Sequence, residues 1–151
     1  MSVDYRAYMA STDWAIRRVD ALTRTVRNYS PRCEVCERPG LSYKNRIEDR
    51  RYRIENANGL EVHHLHYRSL GQEEPEDLIV LCTDALYYDD HDRAYEDWRD
   101  RMLRMPGDRQ EQLRAAGPSP PLPDRVGCHE RVHDDPAFKR EVARLAAERD
   151  L

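Results

Sequence analysis

The feature that most restricts this chain is the placement of its cysteines: Cys33 and Cys36 on one short turn, then Cys82, then Cys128. Cys33 and Cys36 sit in the stretch RCEVCERPG, closed by Pro39 and Gly40, with the spacing by which a tight turn offers two thiolates to one zinc ion. If Cys82 and Cys128 complete the set, the chain between them doubles back and the fold is pinned at a single four-cysteine point. The other reading keeps Cys82 and Cys128 as ordinary buried thiols, because free cysteine is a common core residue. A staple matters here because core material is scarce: of 151 residues, 36% are charged and 39% hydrophobic. That length allows a single domain over 1–151, and a core this small commonly leans on a metal. No apolar run approaches membrane-spanning length, and the opening MSVDYRAYM lacks the basic-then-apolar order of a secretion signal. The expectation is a cytoplasmic protein with no membrane partner, whose thiols bind metal or stay reduced.

The histidines are as unevenly placed as the cysteines. His63 and His64 lie in LEVHHLH, a partly alternating run that reads as a strand starting near Leu60, so the two adjacent imidazoles point to opposite faces. His129 and His133 stand four residues apart, on one face of a helix. Two helix imidazoles and one strand imidazole make an open three-ligand site that leaves positions for water and substrate. One such histidine alone would ordinarily be a surface or hydrogen-bonded group. The grouping, beside cysteines, is what points to metal chemistry.

Around these clusters the chain reads as follows. An N-terminal helical unit occupies 1–30, with a helix over 4–28 carrying Tyr5, Tyr8, Met9, Ile16, Val19 and Leu22 near helical spacing; Ser11 and Thr12 offer an alternative restart near Ala10. Residues 44–53 are dense in arginine and give no clear element. DLIVLC, 77–82, suits a buried strand. From 84 to 105 an acidic helix has Leu86, Ala94, Tyr95, Trp98, Met102 and Met105 available for burial, followed by a short helical piece and a proline-rich connector. A helix over CHERVH follows, and another after Asp134-Asp135-Pro136. The formal charge of −4 hides a separation: residues 1–53 hold 12 Lys/Arg against 7 Asp/Glu, and residues 73–100 hold 2 Arg against 11 Asp/Glu. The split suggests a basic working face and an acidic element with a different job, or else two solvated surfaces with no partner.

Taken in order, CEVC…LEVHHLHYRSLGQEEPEDLIVLC…CHERVH resembles the HNH endonucleases, specifically the zinc-containing branch common in bacteria and phages; the preceding YRAYMASTDWAIRRVDAL shares the likeness. About two thirds of the chain is covered. The resemblance implies an α+β fold: a small ββα-metal core with a four-cysteine zinc knuckle, flanking N- and C-terminal helices and an inserted acidic helix. One departure is large. The family places its last two cysteines two residues apart, whereas about 45 residues separate Cys82 from Cys128. Read in place, Ala85 and Leu86 would stand where cysteine and histidine belong. An insertion over 83–127 between the second strand and the metal-binding helix restores every ligand. The family's middle asparagine also has no clear equivalent. Asp77 occupies that region, either bracing the loop or the catalytic histidine as an acceptor, or joining the metal shell; His66 and Glu73 are weaker candidates for that shell.

What the resemblance implies for function is a metal-dependent DNA endonuclease or nickase. His64 would be the general base, its ordinary pKa near 6.5 suiting proton transfer at neutral pH. His63, His129 and His133 would hold one catalytic divalent ion (Mg²⁺, Mn²⁺, Ni²⁺ or Zn²⁺), Asp77 would complete the catalytic group, and Cys33, Cys36, Cys82 and Cys128 would hold structural zinc. Arg46, Arg50, Arg51, Arg53 and Arg68 would grip DNA phosphates, making binding salt-sensitive. The acidic insertion would mask the basic face, dock a protein partner, or serve only as scaffold. The alternative from a different class is a catalytically weak or inactive zinc-stabilised module that binds nucleic acid or protein.

Overall fold

In the computed structural model, residues 4–41, 57–122 and 126–151 are described. Asp4 accepts the Ala7 amide at 3.3 Å and opens helix α1, Tyr5–Met9. Ser11 then punctuates the chain. Its hydroxyl donates to the Tyr8 carbonyl at 2.5 Å and accepts from the Trp14 amide at 3.2 Å, closing one helix and opening the next, α2, Thr12–Arg24. The single helix expected over 4–28 is therefore two, because this serine side chain competes with helical backbone bonds. The second helix also stops early. Thr25 donates to the Leu22 carbonyl at 2.7 Å, and Asn28 and Tyr29 adopt φ of 53° and 69°, turning the chain back toward the first cysteine pair.

Strands β1, Leu60–His64, and β2, Leu78–Cys82, pair antiparallel, with Leu60 opposite Cys82 and His64 opposite Leu78. All five residues of β2 are buried, as its unbroken aliphatic run requires, whereas β1 alternates. Helix α2 lies against this sheet. Two C-terminal helices, α5 (Cys128–Asp134) and α6 (Pro136–Ala147), complete the packing, α5 on β2 and α6 on α5. They are split by Asp135, which accepts the amides of Ala137 and Phe138, with Pro136 occupying the first position of α6. Leu22, Ile79, Val80, Leu81, Leu86 and Val142 form the centre of the core, none more than 1% exposed. The class is α+β, as expected. Among the described residues, no helix is long and apolar enough to cross a membrane.

Glu34, between the paired cysteines, ties the knuckle to the sheet. Its carboxylate accepts from the Val80 amide at 2.7 Å, from Arg24 at 3.1 Å and from Arg149 at 3.1 and 3.2 Å. Both guanidinium groups also donate to the Leu78 carbonyl, at 2.5 and 2.9 Å.

The segment between β2 and α5 forms two packed helices, α3 (Ala85–Arg104) and α4 (Arg109–Ala116). Of the residues expected to be available for burial on α3, Leu86 and Trp98 are buried, and Tyr95 stays 42% exposed. Trp98 turns to its own segment, its indole nitrogen donating to the Gly117 carbonyl at 3.0 Å. Arg38 fastens the first turns of α3 to the knuckle by bonding Asp90 at 2.5 Å and lying 4.4 Å over the Tyr87 ring. The segment leaves and re-enters the core at one place. The Gly127 amide donates to Asp84 Oδ1 at 2.5 Å, and a Cβ at Gly127 would stand 2.4 Å from the Thr83 carbonyl carbon. Only glycine permits that backbone approach.

Candidate functional site

The return at Gly127 delivers Cys128 to the other three cysteines. One sulfur from each of Cys33, Cys36, Cys82 and Cys128 lies within 4.8 Å of the others, with Cys36 and Cys82 at 3.5 Å. Tetrahedral zinc with sulfur ligands at about 2.3 Å spaces those sulfurs by roughly 3.8 Å, so the set fits a structural metal such as zinc. Cys33, Cys82 and Cys128 are buried and Cys36 is exposed. The Cys128 amide points at Cys82 Sγ, 3.4 Å away. Crowding divides the protons unequally. Cys36 is lowered to about 7, the Cys128 thiol being the largest cause, while Cys128 is driven far up, first by Cys33. Four thiolates at this distance repel one another unless a cation lies between them, and a cation would deprotonate the whole set.

A second cluster lies one residue further along α5. His63, on β1, faces His129 and His133 with ring centroids 5.5 and 5.2 Å away, and His129 and His133 bring their Nε2 atoms to 3.4 Å. One ring nitrogen from each of the three lies within 4.8 Å of the others. The i, i+4 spacing read from the sequence is what brings the two helix imidazoles edge to face, and the strand supplies the third. His63 and His129 are half-buried and His133 exposed, so the cluster opens to solvent on the helix side. Burial, followed by the neighbouring His129 and His133, lowers His63 to about 4. At neutral pH its ring is therefore neutral and carries a free lone pair, the form in which imidazole binds a metal.

His64 points to the other face of β1, sharing it with Leu60 and Val62, and is 5% exposed. Its ring stacks on Trp14 (centroids 4.7 Å, planes 22° apart) and lies 5.4 Å from Tyr67. Its Nε2 is 2.9 Å from Glu73 Oε1. Asp77 does not reach His64. Its carboxylate accepts from Ser69 at 2.7 Å and the Glu74 amide at 2.9 Å, and sits 3.0 Å from His66 Nε2. Burial works to raise the Asp77 carboxyl, and these contacts outweigh it, holding it below its ordinary value. Asp77 and His66 thus brace the loop between the strands, and the carboxylate on His64 is Glu73. Arg68 is exposed on that loop. Arg46, Arg50, Arg51 and Arg53 lie outside the described residues. Sequence reasoning gave no role to Trp14 or Tyr8. Glu73, in the sequence a weaker candidate for the metal shell, lies against His64.

Searches of protein-family models, curated proteins and solved structures each return no match to this chain. Its own geometry carries the functional argument.

Proposed function

We propose that the protein is a metal-dependent DNA endonuclease of the HNH type, with β1, β2 and α5 as a ββα-metal core. The observation that carries this reading is the meeting of His63 with His129 and His133 across an insertion, directly beside the oppositely facing His64. His63, His129 and His133 would hold the catalytic divalent ion, and the four cysteines would hold zinc. A divalent cation so placed supplies Lewis-acid polarisation of a scissile phosphate and neutralises charge on the departing oxygen. His64 takes a proton from the attacking water, a role that general-base catalysis makes worth roughly 10²–10⁴ in rate. Trp14 and Tyr67 fix the plane of its ring. Arg68 binds backbone phosphate from the exposed loop, so DNA binding weakens as salt rises.

The burial of His64 favours a second reading, in which its ring is a structural element and the molecule is a zinc-stabilised module that binds nucleic acid or protein without cleaving it. Nicking of supercoiled plasmid with Mn²⁺, Mg²⁺, Ni²⁺ or Zn²⁺ separates the two. The endonuclease reading expects relaxed circles from the wild-type protein and a loss of roughly 100-fold or more in His64→Ala. Supercoiled plasmid left intact by both proteins with every metal would leave the binding module.

A further inference from the structure

The bonds around His64 fall in an order that fixes where its proton sits. Glu73 has a fully buried side chain. Oε1 meets His64 Nε2 at 2.9 Å, and Oε2 accepts from the Tyr8 hydroxyl at 2.5 Å with Arg17 Nε 3.4 Å away. Arg17 also donates to the Glu73 backbone carbonyl at 3.4 Å. Burial is the largest influence on this carboxyl and pulls it upward, but the bonds from Tyr8, His64 and backbone amides outweigh it and leave the group below its ordinary value. Tyr8 is pushed the other way, up to about 12, by burial and then by Glu73, so it stays a donor. An ionised carboxylate only accepts hydrogen bonds. The shared proton at 2.9 Å therefore belongs to His64 Nε2, and a neutral ring protonated there has its lone pair on Nδ1.

We propose that Glu73, itself held by Tyr8 and Arg17, is the positioning residue that keeps His64 in the Nε2–H tautomer, with Nδ1 as the proton-accepting atom. This rests on the reading of His64 as the general base. When Nδ1 takes a proton from water, the ring becomes a cation, and the buried carboxylate stabilises it without itself being protonated, the division of labour that a triad aspartate performs for its histidine. Trp14, stacked on the ring, opposes the ring flip that would exchange the two nitrogens. Tyr8, Trp14 and Arg17 all come from α1 and α2 or their junction, so the N-terminal helices belong to the catalytic apparatus and are more than packing.

The test uses the full chain with zinc in the cysteine site and ¹⁵N-labelled histidine, reading tautomers by long-range ¹H–¹⁵N correlation; the His64 signals are those lost in His64→Ala. Wild-type His64 is expected as the Nε2–H tautomer, with that population falling in both Glu73→Gln, which preserves side-chain shape, and Glu73→Ala. An Nδ1–H ring in the wild type, or unchanged tautomers in both variants, overturns the proposal. In plasmid nicking, Glu73→Gln should lower kcat at least tenfold with KM changed less than about twofold, the signature of a group acting on the chemical step. Altered tautomers with unchanged kcat would also overturn it. If wild-type protein shows the Nε2–H ring and the variants lose it, yet no metal supports nicking, the positioning contact stands and the endonuclease reading falls.

Discussion

Replacing Glu34 with alanine should detach the first cysteine turn from the sheet and cost the fold about 2–5 kcal/mol. The magnitude follows from what the carboxylate leaves behind. The Val80 amide donates to it at 2.7 Å, and Val80 is fully buried, so removing the acceptor strands a backbone N–H at a cost of about 1–3 kcal/mol. Arg24 and Arg149 lose the same carboxylate but keep carbonyl acceptors at Leu78, and Arg24 keeps Pro75 at 2.6 Å. Their side chains are 18% and 13% exposed, so water takes up part of the loss, and the two together add about 1–2 kcal/mol. For a chain of this length each kcal/mol moves the melting temperature by about 2–4 °C, giving a drop of roughly 10 °C. Glu34→Gln keeps an acceptor for Val80 and should cost about 1–2 kcal/mol. Urea unfolding of the zinc-loaded proteins, with metal content checked before each titration, measures both. If Glu34→Ala unfolds within about 0.5 kcal/mol of the wild type, the carboxylate is not what couples the knuckle to β2, and the reasoning fails.

Two further expectations concern the ligand sets. Cys128→Ser should abolish stoichiometric zinc binding and broaden or remove the cooperative melt, because a structural zinc site supplies about 10 kcal/mol or more, as much as a domain's whole stability; retention of one zinc and an unchanged melting temperature would contradict the four-sulfur site. Without a divalent ion in the histidine cluster, His63 should make the fold acid-sensitive: the unfolded chain protonates it near 6.5 while the folded state holds it neutral down to about 4, so the unfolded state binds more protons in that window and stability falls as pH drops through it. The loss is at most about 3 kcal/mol, and His63→Gln should flatten the slope between pH 7 and 4 in urea unfolding; an identical slope in both proteins would refute the assignment.

What the sequence disclosed and what it hid divide along the range of the interactions. The strands, the break at Asp135-Pro136 and the gathering of the cysteines and of the histidines were legible because each is written in residue types with their own chemistry, or in caps that act within three residues. The restart at Ser11 was visible only as an alternative. A serine-threonine pair sits as readily inside a helix as at its start, and the choice is made when Tyr8 and Trp14 are both buried. Glu73 could be marked only as a weaker candidate for the metal shell, because its place beside His64 takes its meaning from Tyr8, 65 positions away. Glu34 likewise takes its meaning from a remote partner, Arg149, which is 115 positions distant. Asp77 drew attention by its place just before β2, and its own loop consumes it.

The helices between β2 and α5 do not disturb this arrangement, and the reason lies in where their ends meet. Asp84 and Gly127 touch at 2.5 Å, so the chain between them costs little more than loop closure, which grows only with the logarithm of length, about 0.6 kcal/mol per doubling. Helix α3 packs on α4, and Trp98 bonds back to Gly117 within the same segment. The cysteine and histidine clusters are then mechanically linked. Cys128 opens α5 and His129 follows it, so drawing the Cys128 sulfur toward Cys82 on β2 fixes the first turn of that helix against the sheet. With α5 fixed, His129 and His133 face His63 across the strand whose far side carries His64. Closing the thiol cluster therefore preorganises the imidazole cluster, although 45 residues separate Cys82 from Cys128 in the sequence.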